Sequence, residues 1–343
     1  MPINQLRRDP ITGRWAIVLN DDIRLEDLII RHDHSSMAPQ TGICPFCEQN
    51  EKMTPPEIFA IRTPGSAANG PGWSVRVIPD RHPVLQIYGD INNRGVGLYD
   101  VLDGIGAHEI VVESPRHYET LADLSDDHIT SILATFRERI IDLKRDERFR
   151  YVVVHKNSGE AIGDTVNHLY SFVIASPVTP KRVRDELVNA REYFEFKERC
   201  LFCDLIKQEL MTKERLVLED GIYAAVAPFA SRRPFELWLG PQRHQTFFEQ
   251  DADLKTLASI LKELLSRLSR LLNNPHYIMA IHSGPNMLAG KRRGYWQTLE
   301  KDYHWHIEIT PQLISDTSLE VSSGFPVNSV LPEKAAALLR SLN

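Results

Sequence analysis

Glu109-Ile110-Val111-Val112-Glu113-Ser114-Pro115-Arg116-His117 reads as a strand that ends in a Pro and, shortly after it, a His. The same pattern returns as Glu236-Leu237-Trp238-Leu239-Gly240-Pro241-Gln242-Arg243-His244. Each copy is followed by a short acidic stretch and a long amphipathic helix. Ile129, Ile132, Leu133, Phe136, Ile140 and Leu143 keep the i, i+3, i+4, i+7 rhythm in the first half; Leu254, Leu257, Leu261, Leu264, Leu265 and Leu268 keep it in the second. A strand comes next, Tyr151–His155 or Tyr277–Ile281, then a Gly-containing loop and a last strand. This order occurs twice, which predicts an α+β chain built from two similar halves.

A second pair of repeats runs through the same frame. Cys44-Pro45-Phe46-Cys47 precedes His117 and His168-Leu169-Tyr170, and Cys200-Leu201-Phe202-Cys203 precedes His244 and His304-Trp305-His306. Each set of two thiols and two imidazoles suits a closed tetrahedral zinc site, so two zinc ions per chain are expected: Cys44, Cys47, His117 and His168 on one, Cys200, Cys203, His244 and His304 on the other. The competing readings of C-x-x-C are a redox dithiol and a single zinc ribbon. The first does not explain the recurring downstream His. The second fails on spacing, because Cys47 and Cys200 are 200 − 47 = 153 residues apart. The repeats are unequally spaced: the first Cys residues differ by 200 − 44 = 156 positions and the Pro-His pairs by 244 − 117 = 127, so connecting loops of unequal length are expected. His82, His108, His128, His155, His276 and His282 have no recurring context and read as solvated or core-satisfied imidazoles.

Pro177-Val178-Thr179-Pro180 stops the last strand of the first half. The charged amphipathic helix expected over 181–198 is the candidate boundary between an N-terminal half, 1–180, and a C-terminal half, 181–343. A short Ala/Leu helix is expected after Pro332, docked on the surface.

Composition bounds the function. With 42% hydrophobic and 25% charged residues, the 343-residue chain is an average globular protein. Its net charge of −6 argues against nucleic acid as a partner while leaving room for a small phosphorylated ligand in a local basic pocket. The sequence carries neither a signal-peptide-like stretch nor an apolar run of membrane-spanning length, so a cytoplasmic protein with no membrane partner is expected.

Chemistry is expected on the last strand of each half. Residues i, i+2 and i+4 share a face, which groups His168 with Tyr170 and Phe172, and His304 with His306 and Glu308. The second group has a nucleophile or base beside a carboxylate, whereas the first is aromatic. Ahead of His168, the stretch Lys156–Thr165 contains Asn157, Gly159, Gly163 and Thr165, a loop whose amides can wrap a phosphate. Its counterpart holds Lys291-Arg292-Arg293, an anion clamp or a solvated basic turn.

Along most of its length the chain resembles the galactose-1-phosphate uridylyltransferase family of the histidine-triad superfamily. The resemblance is carried by Arg7-Arg8-Asp9-Pro10-Ile11-Thr12-Gly13-Arg14-Trp15, the first C-x-x-C with Thr54-Pro55-Pro56-Glu57, and Val75-Arg76-Val77-Ile78-Pro79. Asn157, Gly159, Gly163, His168, the second C-x-x-C and His304-Trp305-His306-Ile307-Glu308 continue it. It implies tandem histidine-triad-like halves, each an antiparallel sheet with packed helices, and a homodimer. It also implies a nucleotide sugar bound near the first half's His168 segment, where Asn157, Gly163 and Thr165 are the candidate binding residues, with His168 a zinc ligand. In the family a central His takes the nucleotidyl group covalently and passes it to a sugar phosphate. Here that His is Tyr170, the Pro before it is Leu169, and the amide-donating Gln is Phe172.

Two functions follow from these residues. One is a nucleotidyltransferase acting on a UDP-hexose or similar nucleotide sugar and a sugar phosphate by an altered mechanism, with Tyr170, or His306 partnered by Glu308, as its catalytic residues. The other is a catalytically inactive nucleotide-binding or scaffold protein that kept the zinc-stapled fold.

Overall fold

The computed structural model describes residues 3–20, 43–117, 119–159, 166–290, 296–315 and 317–342. Gly163, Thr165 and the basic turn Lys291-Arg292-Arg293 lie outside the described residues. The chain opens with a hairpin, β1 (Gln5–Arg8) and β2 (Trp15–Val18). The first repeat follows as β3 (Phe59–Arg62), β4 (Trp73–Pro79), an inserted hairpin of β5 (Arg94–Val96) and β6 (Tyr99–Val101), β7 (Ala107–Val112), α1 (Asp126–Leu143), β8 (Tyr151–Ser158) and β9 (Tyr170–Ser176). Two helices, α2 (Lys181–Lys197) and α3 (Leu201–Thr212), lead to the second: β10 (Leu216–Glu219), β11 (Tyr223–Val226), β12 (Leu237–Pro241), α4 (Leu254–Leu272), β13 (Tyr277–His282) and β14 (His306–Pro311). A short β15 (Val327–Asn328) and the helix Pro332–Arg340 complete the described elements used below.

The repeats share one antiparallel sheet of ten strands, in the order β10-β11-β12-β14-β13-β8-β9-β7-β4-β3. The order is palindromic about the β8–β13 pair, where Ala280 faces His155. Outward from that seam each half repeats the same connectivity, so the duplication legible in the sequence is a duplication of topology. The unequal spacing of the ligands is explained mainly by the β4–β7 connection, which runs over 80–106 and contains the β5–β6 hairpin, against 227–236 between β11 and β12.

Helices α1 and α4 cover one face of the sheet. Their apolar stripes, including Ile132, Phe136 and Ile140 on α1 and Leu257, Leu261 and Leu264 on α4, are buried in the main core together with Val152, Val173, Met279 and Ile307. Ser125 and Asp253 cap the two helices by accepting from the amides of His128 and Thr256. The C-terminal helix is more than a surface decoration, since Ala335, Ala336 and Leu339 join this core. Its Glu333 binds both Arg7 and Arg215, which ties the N-terminal hairpin to the second half; β2 also pairs with β15.

Lys156 on β8 is fully buried and donates from Nζ to Glu113 (2.8 Å) and to the backbone carbonyl of Tyr170 (2.8 Å). Ser171 donates to the other oxygen of Glu113. Removing one partner leaves an uncompensated buried charge, so Lys156→Met is expected to cost about 3–5 kcal/mol, read as a lower denaturant midpoint.

Candidate functional site

The two Cys/His sets assemble as the sequence spacing requires. In the first, Cys44 Sγ lies 3.6 Å from His168 Nδ1, Cys47 Sγ 3.5 Å from His117 Nδ1, and the two Nδ1 atoms are 3.2 Å apart. In the second, Cys203 Sγ lies 3.4 Å from His244 Nδ1 and 3.5 Å from His304 Nδ1. A tetrahedral ion at ordinary thiolate and imidazole bond lengths sets S···N near ~3.5 Å and N···N near ~3.3 Å, which these distances match. In three of these histidines the ring nitrogen opposite the Cys side is held by a backbone carbonyl. His168 Nε2–H donates to the Ser114 carbonyl (2.8 Å), His304 Nε2–H to the Pro241 carbonyl (2.8 Å), and His244 Nε2–H to the Glu300 carbonyl (2.9 Å). These bonds fix the tautomer that leaves Nδ1 free to ligate. Each set can therefore hold a metal ion, with all four donors within 4.8 Å of one another.

The strand positions that follow the ligands differ between the halves. Tyr170 is buried in an apolar cluster with Phe46, Trp73, Ile78, Ile110 and Val112. Phe46 and Phe172 meet its ring edge-on at 5.3 Å each. Phe172, in turn, lies against the imidazoles of His155 and His108 at 5.1 and 5.3 Å. Asn157 sits near the end of β8, opposite Ile278.

His306 holds the position equivalent to Tyr170 and is built differently. Its Nδ1 donates to the His304 carbonyl (3.3 Å), which leaves the lone pair on Nε2, a buried atom without a hydrogen-bond partner. The ring is flanked by Trp238 and Phe202 at 5.1 and 5.5 Å and stacks on His282 at 4.8 Å. Burial and the positive His282 push its pKa down to about 4. On the sheet face opposite α4, His306, Trp238 and Phe202 line a cavity of about 450 Å³, roofed by α3 and by the N-terminal residues Arg8–Ile11. Gly240 faces His306 from β12, where a side-chain carbon would come within 3.2 Å of the Trp305 carbonyl.

Glu308, grouped with His306 by strand parity, is held as a carboxylate by cations. Arg182 binds one oxygen, and Arg232 binds the other at 3.1 Å, with His282 Nε2 3.5 Å away. Burial alone would raise its pKa, but Arg232 and His282 hold it well below the usual carboxylate range. It lies 3.9 Å from His306 Nε2. His282 faces Glu186 through Nδ1 at 3.3 Å and Glu308 through Nε2. Burial pulls it down, yet the two carboxylates carry it up to about 10. Glu186, His282, His306 and Glu308 form a third group of donors close enough for an ion. With both nitrogens of His282 protonated toward carboxylates, however, the group is neutralised as an ion-pair network.

Sequence reasoning grouped His306 with Glu308 but missed Glu186, Arg182 and Arg232. These come from α2 and from the loop before β12, with no shared period to betray them. His282 raises the folded-state pKa above the unfolded value of about 6.5. Its contribution to stability is therefore complete below that value and is lost as pH rises toward 10. Unfolding free energy should fall over this range, and His282→Gln should flatten that part of the profile.

Comparison with known proteins agrees with this architecture. Residues 85–180 and 186–343 match the family models for the N-terminal and C-terminal domains of galactose-1-phosphate uridyl transferase. The chain is 30% identical to ADP-glucose phosphorylase of Arabidopsis thaliana, covering 99% of this chain and 93% of that one. It is 24% identical to the galactose-1-phosphate uridylyltransferase of Thermotoga maritima, covering 98% of each. A crystal structure of the Arabidopsis thaliana ADP-glucose phosphorylase with bound ADP-glucose superposes with a TM-score of 0.81 at 29% identity, over 99% of this chain and 100% of that one. A uridylyltransferase structure gives 0.73 at 26%, over 99% and 98%. Among the described residues no helix is long and apolar enough to cross a membrane. With its two repeats, paired Cys/His sets and matching family models, the chain belongs to the galactose-1-phosphate uridyl transferase family and is an enzyme of its nucleotidyltransferase type.

Proposed function

We propose that this enzyme transfers a nucleotidyl group from a nucleotide sugar to a phosphate or sugar phosphate through His306 of the second half. One observation carries the reading. At the position where the first half has Tyr170, His306 borders a cavity, its tautomer fixed by the His304 carbonyl and its Nε2 buried without a hydrogen-bond partner, 3.9 Å from Glu308.

In the reaction, Nε2 attacks the α-phosphorus of the nucleotide sugar. The P–O bond to the β-phosphate breaks, and the sugar phosphate leaves with the bonding electrons. The acceptor phosphate oxygen then attacks the same phosphorus and returns the electron pair to Nε2. Nδ1–H keeps its bond to the His304 carbonyl throughout, which stabilises the positive charge that grows on the ring. Glu308, tied up by two arginines, acts by fixing His282 beside the ring rather than as a base. Tyr170, packed among apolar side chains, serves as core.

The Cys/His sets are proposed to hold zinc, two ions per chain, by Cys44, Cys47, His117 and His168 and by Cys200, Cys203, His244 and His304. They are structural: four protein donors leave no open position, and each ion fixes the strand that bears residue 170 or 306. The proposed unit is a cytoplasmic homodimer, each chain divided at 180/181, with a nucleotide sugar as its ligand. Asn157, near the end of β8, is proposed with Gly163 and Thr165 as a second nucleotide contact.

The experiment is to incubate the protein with a panel of nucleotide sugars without acceptor and weigh the intact chain. A mass increase of one nucleotidyl group is expected, removed by added phosphate or sugar phosphate. Binding without adduct or turnover across the panel would favour a non-catalytic scaffold. Metal analysis should give about two zinc ions per chain; three, falling to two in His306→Asn, would instead make the Glu186/His282/His306/Glu308 group a metal site.

A further inference from the structure

The β5–β6 hairpin belongs to only one of the two repeats. The second half makes the same step of the sheet in residues 227–236 without such a ribbon, so the fold itself does not require it. Strands β5 and β6 pair only with each other, Arg94 with Val101, Gly95 with Asp100 and Val96 with Tyr99. Residues directly opposite share a face, which places Val96, Tyr99, Val101 and the stem of Arg94 on one side and Gly95 and Asp100 on the other. A two-stranded ribbon is marginal in water unless its apolar face packs on something. Here that face is open: Val96 is 55% exposed, Tyr99 76%, and Leu98 at the turn is fully exposed.

The ribbon is held out from a fixed base. Ile105 is buried in the main core with Ile91 packed against it. Arg148 donates to the carbonyls of Ile87 and Gly89. Asn92 and Arg94 both donate to Asp103 at 2.7 Å, which pairs the one cation between residues 84 and 102. The segment leading into β5 adds Tyr88 at 87% exposure, Val84 at 69% and Ile87 at 40%. With roughly 200 Å² for an aromatic side chain and about 120 Å² for a large aliphatic one, these three and Val96, Leu98 and Tyr99 expose on the order of 600 Å². A stable, specific interface takes about 800 Å² from each partner, so this insertion supplies most of it before a polar rim is counted.

The chemistry of the insertion selects its occupant. Its apolar face carries no unpaired charge, so two copies can meet through it about a twofold axis without opposing like charges. The core of a homodimer interface is apolar and depleted of charge in the same way. An uncovered patch of this size is an aggregation hazard unless its partner is present whenever the protein is, and a second copy of the chain meets that condition. We propose that a second copy of this chain covers the β5–β6 hairpin, the two ribbons packing through their Val96/Tyr99 faces with Leu98 and Tyr88 beside them. This rests on the homodimer proposed above and assigns its interface; it is independent of the role of His306.

The test is sedimentation velocity of the full chain over a range of micromolar concentrations. The parent protein should sediment as a dimer. Leu98→Asp and Tyr99→Lys should each raise the dissociation constant by at least about a hundredfold, giving a monomer with unchanged far-UV circular dichroism. Phe196→Lys, at an apolar residue of α2 that is 80% exposed, should leave the dimer intact. Hydrogen exchange of the parent protein gives a readout that needs no variant: the amides of 94–101 should exchange more slowly in the dimer than after dilution to monomer. A parent protein that is monomeric at every concentration would overturn this inference together with the homodimer. A dimer that survives both hairpin variants, or exchange at 94–101 that is unaffected by dissociation, would keep the homodimer and overturn the interface. Loss of the dimer in Phe196→Lys to the same degree would also count against it.

Discussion

His306→Asn should lower nucleotidyl transfer by about a thousandfold or more, equivalent to ~4 kcal/mol of barrier, while Tyr170→Phe changes it by less than about threefold. Asn suits the test because its amide NH₂ can replace Nδ1–H as donor to the His304 carbonyl and nothing replaces Nε2. The fold is thus kept and the nucleophile removed. The contrast with Tyr170 follows from surroundings. A phenol has a reference pKa near ~10 and needs a base or cation beside it to attack. The Tyr170 ring packs in an apolar cluster with Phe46, Trp73, Ile78, Ile110 and Val112. At His306 the ring is neutral, its pKa pushed down to about 4, and neutral imidazole is the attacking form. Loss of transfer in Tyr170→Phe with retention in His306→Asn would reverse the assignment, and steady-state rates on matched, folded variants decide it.

The second large effect is expected from the metal sets. Structural zinc binding is worth about 10–16 kcal/mol in small domains at neutral pH. Stripping both sets should therefore destabilise the chain by at least about 5 kcal/mol and lower Tm by more than ~10 °C. The two sets should differ in what they do to activity. Cys203→Ser loosens the site that holds His304, whose carbonyl anchors His306 Nδ1, so it should reduce both stability and kcat. Cys47→Ser loosens the site that holds His168, next to the Tyr170 cluster, and should reduce stability with a much smaller change in kcat. Thermal unfolding and rates measured on the same samples, with metal content determined, check this.

Much of the frame was readable from sequence because it repeats. The strand-Pro-His pattern at Glu109–His117 and Glu236–His244 became β7 and β12, which occupy mirror positions in the ten-stranded sheet. The leucine rhythm of 254–272 became α4, and the His pairs met the Cys pairs at metal-ligand spacing. What repeats twice is constrained by the same physics twice, and noise rarely does that. The single continuous sheet was less legible, because the β8–β13 seam is an ordinary strand pair with no sequence mark. Least legible was the surroundings of His306. Glu186 comes from α2, Arg232 from the loop before β12, His282 from the end of β13 and Glu209 from the last turns of α3. Each is an unremarkable polar residue in its own segment, and only the fold removes it from water and sets it beside the others. The equivalence of Tyr170 and His306 could be read from strand parity, but not that one is packed in apolar core while the other lines a cavity.

The most direct test is to trap the nucleotidyl-enzyme with a radiolabelled or mass-tagged nucleotide sugar, digest it under conditions that preserve phosphoramidates, and sequence the labelled peptide. A label on His306, acid-labile as a phosphohistidine bond is, is the expected result. A label on Tyr170, stable to acid, or a label confined to the first half would contradict the assignment of catalysis to the second.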